Sequence, residues 1–202
     1  IQEGEVFIDT IARTSQKKPI VVLKPGRTEK GIKAVASHTK SIAGNDKIFT
    51  AFCKKHGVIR ANDITELYDF CKITAMSKKL KDNKMLIMTS SGGAGIIATD
   101  TAEEIGIEIA PINDKLKKTL EDILPDQCVL SNPLDLTGDA TAERYEKALK
   151  AVIDDGSFDF ILTIFGDPIP GAFEVINKVK SESDVQIIVS YLGGGDVEEQ
   201  EV

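Results

Sequence analysis

Short apolar runs alternate along the chain with stretches whose apolar residues recur every three or four positions. Val6 to Ala12 has helical spacing, Pro19 to Leu23 is a short β-rich run, and Lys24-Pro25-Gly26-Arg27 is a turn. Ile42, Ile48, Phe49 and Phe52 predict a helix from Ser41 to His56, closed by Gly57. Val58-Ile59 is a short strand, and Asn62 or Asp63 begins a helix that runs into the mid-seventies. The polar, lysine-rich stretch from Ser77 to Asn83 reads as a linker. After it the cycle restarts. Lys84 to Met88 is a strand of the fully buried type, followed by a glycine loop and a helix from about Gly95 to Ile105. Ile107 to Ile109 is a short strand, Asp114 to Leu124 a helix stopped by Pro125, and Thr141 to Asp154 a helix with Thr141 as its N-cap. Strands Phe158–Phe165 and Val185–Tyr191 flank a helix from Pro170 to Ser181.

Strands alternating with helices predict an α/β chain with mainly parallel sheets, helices on both faces and right-handed crossovers. The expected organisation is two flavodoxin-like domains. Residues 1–76 hold too few strands for a complete sheet and read as the C-terminal part of one domain, truncated at its N-terminus. Residues 77–83 are the linker, and residues 84–202, with about four strands, form the second domain, truncated near its C-terminus. The chain opens on Ile1-Gln2-Glu3-Gly4 without Met and closes soon after Gly193-Gly194-Gly195-Asp196, so a piece of a longer protein is expected.

Composition narrows the function. The formal charge of −7 disfavours a general nucleic-acid grip, and no apolar run approaches a membrane span. No signal peptide is visible, and Cys53, Cys71 and Cys128 are scattered without a CxxC pair. A cytoplasmic protein without disulfides or a zinc site is expected.

Three stretches hold candidate chemistry. Met88-Thr-Ser-Ser-Gly-Gly-Ala-Gly95 joins a buried strand to a helix. Backbone N–H groups and the positive helix end there favour an anion, phosphate above all, though the pattern is neither a Walker A loop nor GxGxxG. The alternative is a tight strand-to-helix turn without ligand. His38 lies in Ala36-Ser-His-Thr-Lys-Ser-Ile-Ala-Gly44, read as a loop of hydroxyls before a helix. A neutral imidazole there can be a base, a metal ligand or a phosphoryl acceptor, or only a surface histidine. No neighbouring ligand spacing supports a metal and no GxSxG supports a hydrolase. The second histidine, His56, sits at a helix end and reads as structural. In Ser131-Asn-Pro-Leu-Asp-Leu-Thr-Gly-Asp139, the side chains of Asn132, Asp135 and Asp139 suit either ligand contacts or turn and cap roles.

Together these segments resemble the ADP-forming acyl-CoA synthetases (acetate–CoA ligases) of the succinyl-CoA synthetase superfamily. "GRTEKGIKAVASHTKSIAGND" at 26–46 is similar to that family's phosphohistidine segment, "TSSGGAGIIATD" at 89–100 to its glycine loop and phosphate-facing helix, and "NPLDLTGDATAERYEKAL" at 132–149 also matches. The resemblance covers nearly the whole chain, with three motifs in the family's order. It implies two succinyl-CoA-ligase-like flavodoxin domains and an acid–thiol ligase reaction: acyl-CoA, ADP and phosphate interconvert with acid, CoA and ATP through phosphorylated His38. It further implies Glu3, expected just after a strand, as the residue orienting that imidazole, and Ser90, Ser91, Gly92, Gly93, Ala94 and Gly95 as the phosphate cradle. Mg²⁺, ADP or ATP, and CoA are the implied cofactors. They would be bound mainly by a CoA-binding Rossmann domain and an ATP-grasp domain or subunit, neither of which this sequence contains. A small carboxylic acid is the implied substrate and a hetero- or homo-oligomer the implied assembly. The competing expectation is a non-catalytic module of the same fold that senses a nucleotide or anion. A flavin-binding flavodoxin is weaker, because no Trp and three Tyr offer little to stack an isoalloxazine.

Overall fold

The computed structural model describes residues 3–39, 44–77, 80 and 82–193, with the side chains of His38 and Thr39 outside that set. The chain divides into two compact units at Ser77/Lys78.

The first unit carries helices α1 (Gly4–Ser15), α2 (Glu29–Thr39), α3 (Asp46–Lys55) and α4 (Ile64–Met76) around strands β1 (Val21–Leu23) and β2 (Ile59–Ala61). The two strands pair in parallel, Val21 opposite Ile59. Short polar side chains set the helix starts. Asn45 Oδ1 accepts from Lys47 and Ile48 N–H at the head of α3, and Asp63 accepts from Glu66 N–H at the head of α4. Gly57 follows α3 with φ +63°, a conformation other residues adopt reluctantly.

Two expectations change here. Helix α2 replaces the loop expected around His38. Its residues are mostly exposed, and Gly31 and Ser37 are poor helix formers, so no apolar stripe announces it. The cap does: Thr28 Oγ1 accepts from Gly31 N–H at 3.2 Å and Thr28 O from Ile32 N–H at 2.8 Å. Helix α3 is assigned from Asp46 rather than Ser41, because Asn45 supplies the cap; Ser41–Ala43 lie outside the described residues.

The second unit holds β3 (Lys84–Thr89), α5 (Gly92–Glu104), β4 (Glu108–Ile109), α6 (Asp114–Ile123), β5 (Val129–Leu130), β6 (Leu134–Asp135), α7 (Ala142–Asp155), β7 (Phe160–Phe165), α8 (Ala172–Glu182) and β8 (Gln186–Tyr191). Its described strands form one six-stranded sheet in the order β5-β6-β3-β7-β8, with β4 also on β3. All pairings are parallel except β5–β6. Strand β3 is continuously apolar from Met85 to Met88 because both its faces are covered. Met85 and Ile87 point into one core with Ala102, Phe160 and Ile164. Leu86 and Met88, one step out of phase, join Leu116, Leu120, Tyr145, Leu149, Ile161 and Phe165 in the other.

The stretch 131–139, read as polar residues in ligand, turn or cap roles, contains β6, which pairs antiparallel with the preceding β5. Strands of two residues are too short for alternation to reveal. Helix α5 begins at Gly92, not Gly95. Glycine is a weak helix former, so propensity alone places the start after the glycines.

Candidate functional site

In the second unit the neighbours of β3 are β4 and β6 on one side and β7 on the other. The connection order reverses at β3, and in such sheets ligands bind in the crevice beyond the carboxyl ends of the strands. A cavity of about 390 Å³ lies at that end, lined by Ser90, Asp139, Thr141, Asp167 and Ile169 among others.

Strand β3 delivers the turn Ser90-Ser91 to this end. Thr89 Oγ1 accepts from Ser91 N–H at 2.9 Å and donates back to Ser91 O at 3.0 Å. Ser90 N–H donates to Ile164 O at 3.2 Å, and Ser90 Oγ accepts from Gly166 N–H at 3.1 Å. Tyr145 O–H donates to the same Ile164 carbonyl at 3.0 Å, and burial pushes its phenol well above the ordinary range. The turn is thus pinned across β3 and β7 before α5 begins.

The six residues from Ser90 to Gly95 divide sharply in what they offer. Gly95 N–H closes the first helical bond, onto Ser91 O at 3.0 Å. The N–H groups of Gly92, Gly93 and Ala94 precede it and have no intrahelical acceptor. Those of Ser90 and Ser91 are already engaged, as above. Gly95 is a packing residue, since a Cβ there would lie 3.1 Å from Thr89 Cγ2 and 3.3 Å from Pro133 Cβ. At Gly92 a Cβ would meet Asp135 Oδ2 at 2.8 Å, while nothing lies within 4 Å of one at Gly93. One flank of the helix end is therefore filled by a carboxylate and the other is open. The three N–H groups and the positive end of a 13-residue helix are the features that favour an oxyanion at such a position.

The three polar candidates of 131–139 have distinct tasks. Asn132 acts as a piece of strand. Its Oδ1 accepts from Ile87 N–H at 3.0 Å, and its Nδ2 donates to Met85 O at 2.7 Å and Ala110 O at 2.9 Å. That amide fills the stretch of β3 between the residues paired with β4 and those paired with β6. Asp135 Oδ1 accepts from Thr137 N–H at 2.8 Å, which fixes the carboxylate beside Gly92. Asp139 receives Arg144 through two hydrogen bonds, at 2.9 and 3.2 Å. The guanidinium, then the Thr137 hydroxyl, hold its carboxyl far below the usual carboxylate range. Arg144, Tyr145 and Gly166 escaped the sequence reading. Tyr145 opens the apolar stripe Tyr145, Ala148, Leu149 and Val152 of α7 and so reads as core, while Arg144 and Gly166 carry no local signal.

In the first unit the backbone of His38 lies in the last turn of α2, and its side chain lies outside the described residues. Glu3 occupies the N-cap position of α1, exposed and without a side-chain capping bond. The strand expected before it falls on residues 1 and 2, outside the described set. His56 is structural: its N–H donates to Phe52 O at 3.1 Å and its ring lies 4.8 Å from that of Phe52. Among the described residues no three His, Cys, Asp or Glu side chains converge on a metal position, and no helix is long and apolar enough to cross a membrane.

Comparison with known proteins places both units. Residues 1–74 match the succinyl-CoA ligase like flavodoxin domain and residues 85–201 the Ligase-CoA domain. The chain is 32% identical over 201 residues to acetate–CoA ligase [ADP-forming] I of Archaeoglobus fulgidus, covering all of this chain and 29% of that protein. It is 34% identical over 206 residues to the alpha subunit of acetate–CoA ligase [ADP-forming] I of Pyrococcus furiosus, covering 98% of this chain and 44% of the subunit. Among solved structures, the dinucleotide-forming acetyl-coenzyme A synthetase 1 of Ca. Korarchaeum cryptofilum, in complex with phosphate and ADP, matches with a TM-score of 0.86 at 30% identity. That match covers 97% of this chain and 44% of the other. The chain thus spans less than half the length of these relatives.

Proposed function

The chain belongs to the ADP-forming acyl-CoA synthetase family, and from that premise we propose that it supplies the phosphoryl-carrying and phosphate-holding parts of an acid–thiol ligase. The reaction is acyl-CoA + ADP + phosphate ⇌ acid + CoA + ATP. Phosphate displaces CoA from the acyl group, giving an acyl phosphate. His38 takes the phosphoryl group and releases the carboxylate, then passes it to ADP and regains its free imidazole. The imidazole must be neutral and oriented to accept, and Glu3 is the residue assigned to orient it. The amides of Gly92, Gly93 and Ala94 hold the phosphoryl oxygens, a task of positioning and charge stabilisation.

The single observation that carries the reading is the head of α5: free amides on an open flank, at the carboxyl end of the central strand, where an oxyanion belongs. CoA and the nucleotide with its Mg²⁺, which supplies charge neutralisation during transfer, belong to a CoA-binding Rossmann domain and an ATP-grasp domain or subunit. A two-domain chain of residues 1–76 and 84–202, a small carboxylic acid as substrate, assembly into an oligomer and a cytoplasmic setting complete the proposal.

The test is phosphoryl labelling of the whole enzyme with γ-labelled ATP. The expected result is a label that is labile to acid, stable to base and lost in His38→Ala. Equal labelling of that variant overturns the assignment. Absence of all labelling, with nucleotide-dependent thermal stabilisation retained, favours the sensing module instead.

A further inference from the structure

We infer that Asp46 and Arg60 are positioning residues for the His38 segment, closing the base of the excursion that carries it. The inference rests on the reading of His38 as phosphoryl carrier.

The chain leaves the small sheet after β1, passes through α2, and returns at α3. Lys24, the residue after β1, and Asp46, the first residue of α3, meet across that excursion, with Lys24 Nζ 3.3 Å from Asp46 Oδ1. Arg60, in the middle of β2, donates Nη2 to the same carboxylate oxygen at 2.6 Å. Its Nη1 reaches Asp46 O at 3.5 Å and also bonds Thr50 Oγ1. Both cations lie over the Phe49 ring, 5.7 and 5.4 Å from its centroid. The three charged side chains are only 14–25% exposed, so solvent screens this cluster less than an ordinary surface pair. A second tie fastens the start of the excursion: Arg27 Nη1 donates to Asn62 Oδ1 at 3.0 Å and to Asn62 O at 3.2 Å, in the turn after β2.

The cluster is not needed to start the helix, because Asn45 already caps α3. What the Asp46 carboxylate adds is a fixed origin for α3 relative to both strands. Arg60 bonds both the backbone and the side chain of Asp46, so it sets where the segment after His38 must end. Phosphoryl transfer is acutely sensitive to placement, and an error of about 1 Å costs up to 10²-fold. A structural ion pair alone would change stability and leave transfer intact, which separates the two roles.

The experiment measures phosphohistidine formation, turnover, KM and Tm in the whole enzyme for Asp46→Asn, Arg60→Lys, Asp63→Ala and His38→Ala. Asp63→Ala removes the α4 cap of the same unit without touching the cluster and calibrates destabilisation alone. Asp46→Asn is expected to lower labelling and kcat roughly tenfold or more, with KM for acyl-CoA and ADP unchanged. Arg60→Lys, which keeps the charge but not the fork, is expected to fall between Asp46→Asn and wild type. Asp63→Ala is expected to keep wild-type labelling at a comparable or larger loss of Tm. Wild-type labelling in both Asp46→Asn and Arg60→Lys overturns the inference, as does an equal loss in Asp63→Ala. If His38→Ala is still labelled, the phosphohistidine reading fails first and takes the inference with it. If His38→Ala is dead and the cluster variants are normal, the inference alone fails.

Discussion

The two units of this chain are held together by different means. In the second, a sheet with both faces covered buries two apolar cores, and side chains such as Leu86, Ile87, Leu149 and Phe165 are wholly removed from water. In the first, the described residues bury only Cys53, Val58 and Ala61 among the hydrophobics, while Val6, Ile8, Ile48, Ile64, Tyr68, Ile73 and Met76 stay exposed. Its order comes from caps, from the Asp46 ion cluster and from rings around Phe52. Burial scales with area, whereas each cap or partly exposed ion pair contributes about 1 kcal/mol or less. The unit that carries the proposed phosphoryl acceptor is thus the less deeply packed one, and the unit that carries the proposed phosphate cradle has the larger buried core.

Core truncation gives the largest effect that can break this comparison. Leu149→Ala is expected to destabilise the second unit by about 2–5 kcal/mol, seen as a lowered denaturant midpoint for that unit alone. Phe52→Ala, half-buried in the first unit, should shift its own transition by less. A single shared transition in both variants would erase the distinction between the units.

The next effect is at Asn132. Asn132→Ala strands Ile87 N–H and the carbonyls of Met85 and Ala110, and should cost about 1–3 kcal/mol. Amide exchange at Ile87 should quicken, while amides of the first unit keep their rates. Unchanged exchange at Ile87 would show that β3 does not need the substitute strand.

The smallest effect is electrostatic. Glu146 Oε1 accepts from Lys150 and Lys178, both at 2.7 Å, tying α7 to α8. Those two lysines, Lys150 first, hold its carboxyl down at about 2, against an ordinary 4.5. A depressed carboxyl stabilises the fold fully above its ordinary value, and that contribution disappears as pH falls towards the depressed one. The stability difference between wild type and Glu146→Gln should therefore be present above pH 4.5 and gone near pH 2. Because both lysine partners are about half exposed, salt should shrink it. A difference that persists at pH 2 would point to packing rather than charge.

What could be read beforehand follows the same divide. Apolar runs announce β3 and β7, which are buried on both faces, and apolar stripes at helical spacing announce α6 and α7, which are buried on one. Thr141 is the cap expected of it, accepting from Arg144 N–H. Helix α2 escaped because its exposed residues face water on most sides and its one clear signal, the Thr28 cap, is a single side chain. The glycine turn was legible as a backbone feature, but not the division of labour within it. That Gly92 meets a carboxylate and Gly95 meets Thr89 depends on residues about forty positions away or on the preceding strand, and nothing local encodes such neighbours. Asn132 was legible only as a polar residue, since its service as strand depends on two strands ending short of each other.

The carboxylate of Asp135 beside Gly92 has a stereochemical consequence. With one side of the α5 head occupied and the other open, the mouth of the helix is handed. An oxyanion held by these amides would meet the Asp135 carboxylate on the Gly92 side only. A like-charge neighbour on one side would disfavour a ligand orientation that turns an oxygen towards it, so one aspartate would bias how the anion sits.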